Sequence, residues 1–422
     1  MKKFRVIELF AGVGGFRVGL ERISGKDFGF DFVWSSQWEP NSKIQHASEI
    51  YRKVFGEENH SNEDIQVVID KNFNSIPDHD VLVGGFPCQD YSVARTSNQA
   101  AGLEGKKGVL WWSIYEILKR KDKKAPSILI LENVDRLLKS PSSQRGRDFA
   151  VMISSLNNLG YAVEWRVINA AEYGMPQRRR RIYILGYKKN SDIYKKIKAE
   201  KDLYGWITKT GLFAKIFPIN IFGERKEFNL DTKDLSVVSS DFNKEGKSSP
   251  FEDTGIMLDG KIITIKTKPV YKGKFITLGD IIEHDESKID KSFFIDKKDL
   301  SRWEYLKGGK KEKRKSKSGY EYEYSEGSMI FPDLLTSPSR TIVTGEGGSS
   351  PSRFKHVIKT KSGKMRRLTP EELERLDMFD TGHTENMLNS KTPDIKRAFI
   401  AGNALVVGVI EKIGKGIKQL YD

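Results

Sequence analysis

Residues 4–15 read Phe-Arg-Val-Ile-Glu-Leu-Phe-Ala-Gly-Val-Gly-Gly, and this stretch decides the fold. Its first seven residues are mostly apolar and rich in β-branched and aromatic types, as a buried strand is. Glycines at 12, 14 and 15 then let the chain turn tightly, and a helix opens behind them. Strand, glycine-rich turn and helix in that order make the first unit of an open α/β sheet, with a helix N-terminus beneath the turn. Besides a cofactor-binding turn, a plain tight turn fits these residues. A dinucleotide-binding unit fits them less well, because its GxGxxG spacing is not cleanly met.

Working outward, further strands are predicted at 32–34, 80–84, 128–131, 161–168 and 181–187, with helices at 42–55, 110–121 and 146–159 between several of them. Such alternation implies a mostly parallel sheet covered on both faces. After about residue 190 the chain becomes lysine-rich with little helical periodicity. Residues 308–324, GGKKEKRKSKSGYEYEY, read equally well as a solvated hairpin or as a loop against phosphates. Helical signals return after Arg366, where Thr369 precedes Pro370 as a cap with proline in the first turn. The stretch 403–420 is amphipathic and is expected to dock on the first domain.

At roughly 100–200 residues per domain, the 422 residues suggest two or three domains. Charged residues reach 31%, and no apolar run approaches the ~18 residues a spanning helix needs. The N-terminal stretch reads as a strand rather than a signal peptide, so a cytoplasmic protein is expected. Lysine and arginine total 72 against 57 acids, a net charge of +15; that surplus suits a polyanionic partner. The single cysteine, Cys88, excludes an internal disulfide and a cysteine-based zinc cluster. No metal site is predicted.

Gly84-Gly85-Phe86-Pro87-Cys88-Gln89 puts that thiol at the carboxyl end of a strand, where open α/β sheets bind ligands. Nucleophilic thiols need nearby cations. Glu132-Asn133-Val134 ends another strand on the same predicted edge, and its carboxyl group is placed to act as a proton donor. Arg178–Arg181 follow Gln177, and alternation along the strand puts Arg179 and Arg181 on one face.

ELFAGVGG, GGFPCQ, ENV, QRRRR, RRLTPEE and GNALVV, in that order, resemble the motifs of the DNA cytosine-5 methyltransferases of bacterial restriction–modification systems. The resemblance covers roughly residues 4–188 and 366–412, and the region between occupies the place of that family's variable target-recognition domain. It implies an α/β, Rossmann-like, S-adenosylmethionine-dependent methyltransferase sheet with a second, smaller domain. The divisions expected are 1–190 for the catalytic domain, completed by 395–422, then 191–365 for target recognition and 366–394 as a hinge. Cys88 would attack C6 of a cytosine, Glu132 would engage N3 and the exocyclic amine, Arg181 would hold the base carbonyl, and Arg179 would lie near the nucleophile.

The same resemblance assigns the cofactor to Phe10, Gly12, Gly14, Trp38, Asp64, Ile65, Pro87, Leu110 and Asn403. Gln37 stands where the family has an acidic residue for the ribose, so either Gln37 or Glu39 takes that part. Glu8 stands where the family usually has Asp. Phe86, Gln89, Tyr91, Ser92, Arg95 and Gln177 are assigned to the DNA side, Gln177 more as a support than a reactant. Residues 90–108, rich in small, basic and glycine residues, read as a loop that closes over a base rotated out of the duplex, or as an ordinary surface loop. The partners implied are double-stranded DNA and a separately encoded restriction endonuclease, with the enzyme itself a monomer. Alternatives are a tRNA cytosine-5 methyltransferase and a catalytically silent DNA-binding protein of the same fold.

Overall fold

In the computed structural model, which describes residues 2–86, 109–230, 232–315, 321–385, 387–388 and 391–421, strand β1 (Lys2–Leu9) runs from exposed lysines into full burial. It pairs in parallel with β2 (Phe28–Ser36), which carries β3 (His60–Ser61) on its outer side. On its other side β1 meets β4 (Val81–Gly85), and β4 meets β5 (Ile128–Val134), again in parallel. Their central residues are apolar without interruption because both faces of a parallel sheet are covered. Neighbouring residues serve opposite faces. Val6, Val81, Val83, Ile128 and Ile130 enter one core with Phe16 and Leu20, whereas Ile7, Leu82, Leu129 and Leu131 enter the other with Trp111 and Phe149.

β6 (Tyr161–Asn169) and β7 (Arg180–Lys188) close this half of the sheet, β7 lying antiparallel between β5 and β6. The sheet does not stop there. β8 (Ile219–Ile221) forms a separate small ladder, but β9 (Lys226–Asn229), β10 (Thr254–Leu258) and β11 (Lys261–Ile265) extend the main sheet. Its order is β3-β2-β1-β4-β5-β7-β6-β10-β11-β9. The chain order reverses between β1 and β4, so their carboxyl ends border the crevice where ligands of such sheets bind.

The domain division expected near residue 190 is therefore corrected. Helix Asp192–Ala199 shows lysines to solvent but buries Ile193, Tyr194 and Ile197 in the first core, as do Trp206, Phe213, Ile256 and Ile263 farther on. The change in composition marks an exposed face, not a boundary. β12 (Thr267–Pro269) pairs with β8, and only beyond it does a second core form. Leu278, Ile342 and Ile358 share that core with Leu373, Leu376, Ala398 and Ala401, so most of the expected hinge belongs to this second unit. The unit also carries the hairpin β13 (Lys310–Lys315) and β14 (Glu321–Glu326), with Lys311 paired to Glu323 across it, and the short ladder β15 (Val357–Lys359) and β16 (Met365–Arg367). Helix Val407–Tyr421 then returns, as expected, burying Ile410, Ile413 and Ile417 in the first core. No helix among the described residues is long and apolar enough to cross a membrane.

Candidate active site

Beyond β1 the backbone enters the left-handed region at Phe10 (φ 55°), Gly12 (φ 56°) and Gly14 (φ 85°). A β-carbon on Gly14 would stand 2.3 Å from the Phe55 ring, so space and dihedral both demand glycine there. Gly12 faces open space instead. The turn is pinned to the end of β2. The Gly12 amide donates to Gln37 Oε1 at 2.8 Å, and the Ala11 amide to the Ser36 carbonyl at 2.9 Å. Past Gln37, the Trp38 ring is 38% exposed, while Glu39 Oε2 accepts from Ser42 Oγ at 2.9 Å. Asp64 caps helix Ile65–Lys71 through the Gln66 amide at 2.9 Å, and Asn403, the last residue of helix Asp394–Asn403, is exposed. Beneath the turn Glu8 is fully buried and accepts from the Tyr51 hydroxyl at 3.1 Å. Burial pushes its carboxyl up to about 8.

Two strands away, Glu132 lies opposite Gly85 on β4 and Tyr183 on β7. Its Oε2 would be 3.4 Å from a β-carbon at Gly85, so the carboxyl leans over the strand end that leads to residue 88. Arg181 Nε meets Glu132 Oε1 at 2.9 Å. Burial raises the Glu132 carboxyl above its ordinary range, and the charges of Arg181 and then Arg179 pull it back. Asn133, pointing the other way along β5, donates from Nδ2 to the Phe86 carbonyl at 2.8 Å. The ENV segment thus offers a carboxyl on one side and fixes the end of β4 on the other.

The segment before β7 is a joint. Gln177 is fully buried. Its Nε2 donates to Asp377 Oδ1 at 2.7 Å and its Oε1 accepts from the Ile342 amide at 3.1 Å. Arg179, 3% exposed, donates to the Ile342 carbonyl at 3.2 Å and the Gly402 carbonyl at 3.1 Å. Arg180 pairs with Asp135 at the surface. The first sheet, the second unit and the return to the C-terminal helix all meet on these few side chains.

Several expected residues gather along one sheet edge: Phe10, Gly12, Gly14 and Gln37 at β1 and β2, Glu132 and Arg181 at β5 and β7. Others are corrected. Gln177 cannot face DNA, because both ends of its amide are consumed inside the protein. The Phe86 ring is 3% exposed and packs against Trp111; only its carbonyl serves the site. The guanidinium of Arg179 is engaged with backbone carbonyls of the joint. Leu110 lies half-buried in helix Val109–Lys121 and packs on the sheet face that holds Trp111 and Phe149. Pro87, Cys88, Gln89, Tyr91, Ser92 and Arg95 lie outside the described residues. Sequence reasoning missed the bond from Asn133 to Phe86, the bond from Gln37 to Gly12, and Asp377. The first had a signal in ENV itself, since an amide beside a strand-end carboxyl is a natural backbone clamp.

A family model for C-5 cytosine-specific DNA methylases matches residues 4–419. The chain is 48% identical over 422 residues to the Type II methyltransferase M.Sau3AI of Staphylococcus aureus, covering 100% of this chain and 97% of the relative. It is 32% identical over 248 residues to the Type II methyltransferase M.HhaI of Haemophilus parahaemolyticus, covering 57% of this chain and 64% of the relative. The S. pombe Dnmt2 methyltransferase structure shares the fold at a TM-score of 0.61 and 14% identity, with 100% of both chains covered. Methyltransferases of this fold generally use S-adenosylmethionine. With a strand-end carboxyl braced by an arginine, a glycine turn at the sheet's reversal point and the family match across nearly its whole length, the chain belongs to the C-5 cytosine-specific DNA methylase family and transfers methyl groups to C5 of cytosine in DNA.

Proposed function

We propose that Cys88 is the covalent nucleophile and Glu132 the proton donor of this transfer, acting on a cytosine rotated out of double-stranded DNA. The observation that carries the reading is the Glu132–Arg181 pair at 2.9 Å, set against the strand end three residues before Cys88. The Cys88 thiolate adds to C6 while Glu132 gives a proton to N3, so the electron pair pushed into the ring leaves C5 nucleophilic. Arg181 orients Glu132 and lies beside the site of the base carbonyl. Loss of the C5 proton to solvent, expulsion of the Cys88 thiolate and return of the N3 proton to Glu132 restore the aromatic ring and the enzyme. The base must first leave the stack, at a cost of a few kcal/mol, and residues 90–108, with Tyr91, Ser92 and Arg95, are the segment assigned to close over it.

S-adenosylmethionine, when bound, supplies the methyl group from its sulfonium and leaves as S-adenosylhomocysteine. The residues present fit it. Gly12 faces open space, the exposed Trp38 ring is available for stacking, and carboxylates stand at Glu39 and Asp64. Gln37 spends its acceptor oxygen on the Gly12 amide, which favours Gln37 as the brace of the turn and Glu39 as the partner of the ribose hydroxyls. The match to M.Sau3AI spans the whole chain, the second unit included, and supports reading the target as the same DNA sequence as that relative's, within a restriction–modification system.

Duplex DNA with 5-fluorocytosine in place of cytosine tests the chemistry, because fluorine cannot leave as a proton does. The expected result is a denaturation-resistant adduct that requires S-adenosylmethionine and is absent in Cys88→Ala, which still binds DNA. Active enzyme that forms no adduct, or Cys88→Ala that turns over normally, would overturn the scheme. Bisulfite sequencing of DNA from cells expressing either protein compares the two targets directly.

A further inference from the structure

The joint before β7 is held from behind by a group that the scheme above does not use. Asp377 follows helix Pro370–Leu376, is fully buried, and accepts from Gln177 Nε2 at 2.7 Å through Oδ1. Its own carbonyl accepts from the Val407 amide at 2.9 Å, fixing its backbone to the start of the C-terminal helix. Asp377 Oδ2 and Arg179 Nε have no hydrogen-bond partner among the described residues. A buried carboxylate is stable only where cations or donors answer it. The cations near Asp377 are Arg179 and then Arg181. The same two arginines act on Glu132, Arg181 first. Tyr183, which faces Glu132 across β5 and β7, feels Glu132, Arg181, Arg179 and Asp377 together. Two arginines are thus flanked by two acids, the part-buried Glu132 beside Arg181 and the fully buried Asp377 near Arg179.

We propose that Asp377 is a positioning residue for the methyl transfer: it holds Gln177 and offsets part of the arginine charge, so that Glu132 keeps the proton it delivers to N3. The proposal rests on the reading of Glu132 given above. Two guanidinium groups without this counter-charge would favour the ionised, proton-less carboxyl. Burial, against the pull of Arg179, leaves the Asp377 carboxyl at about 7, so Asp377 carries its counter-charge above that pH, while burial holds Glu132 above its ordinary range against Arg181 and Arg179.

Asp377→Asn keeps an oxygen for Gln177 and removes the charge. Single-turnover methylation, at saturating DNA and S-adenosylmethionine, is measured against pH for this variant and the parent. The alkaline limb of the Asn variant should move to lower pH by about half a unit or more, with the rate on the acid side and the KM for DNA little changed. Asp377→Glu should return the limb toward the parent. A rate lowered equally at every pH, with the limb in place, would show a merely structural part and overturn the proposal. Glu132→Gln is run beside it and should be slower by about 10²–10⁴-fold without that limb. If Glu132→Gln keeps the limb, the reading of Glu132 fails. If it loses the limb and Asp377→Asn does not shift it, only the part given to Asp377 fails. The longer pair Asp377→Glu and Asp377→Gln repeats the comparison if the Asn variant does not fold.

Discussion

Glu8 shows how one buried carboxyl contributes to the pH response of the fold. In the unfolded chain it titrates near 4.5, whereas in the fold burial pushes it up to about 8, against the pull of the Tyr51 hydroxyl bond and Arg17. Between those values the folded state holds a proton that the unfolded state has lost, so stability falls as pH rises and levels off above about 8. Glu8→Gln keeps an acceptor for Tyr51 and removes the titration. Its melting temperature should change less between pH 5 and pH 8 than the parent's, and should exceed it at pH 8. Equal slopes in the two proteins would show that Glu8 is not the group responsible. The residue also accounts for a departure visible in the sequence, Glu where the resemblance leads one to expect Asp. The longer side chain reaches from β1 to Tyr51 on helix His46–Phe55.

At the level of single elements, helix Pro370–Leu376 is built as its sequence announces. Thr369 and Glu372 form a reciprocal capping box, with Pro370 in the first turn. The same Glu372 is also the partner of Arg366, with bonds of 2.8 Å and 2.7 Å at 0% and 1% side-chain exposure. Glu372→Ala should lower stability by about 3–5 kcal/mol, because it strands a buried guanidinium; the denaturant midpoint measures it. The cap was legible because it is local, whereas the ion pair depends on a strand and a helix packing together. The strands behave likewise. β4 and β5 were legible as unbroken apolar runs, but β2 extends from 28 to 36 rather than 32 to 34, since Gly29 and Asp31 interrupt the pattern on a strand nearer the sheet edge. β10 and β11 were hidden in lysine-rich surroundings. Of the site, Glu132 and Arg181 were read from neighbouring motifs, while the burial of Gln177 follows from Asp377, two hundred positions farther along, and no local pattern reports such a contact.

Across the whole molecule, the glycine turn and the C-terminal helix form one construction. Helix Gly15–Glu21 packs its Gly19 so closely on helix Val407–Tyr421 that an added β-carbon would lie 2.7 Å from Ile410 Cβ. Gly19→Leu should destabilise by about 1–3 kcal/mol through overpacking, read as a lower unfolding midpoint and easier proteolysis within 407–421. A β-carbon on Gly414 would lie 3.0 Å from both Leu20 Cδ2 and Ile23 Cγ1, so the close contact continues past the end of the first helix. During synthesis the first of these helices leaves the ribosome long before its cover exists. At about 5–20 residues per second, helix Gly15–Glu21 waits on the order of half a minute for that cover. A nascent chain stalled before residue 407 would already carry the glycine turn and the Glu132–Arg181 pair and still lack the helix that covers Gly19 and Leu20.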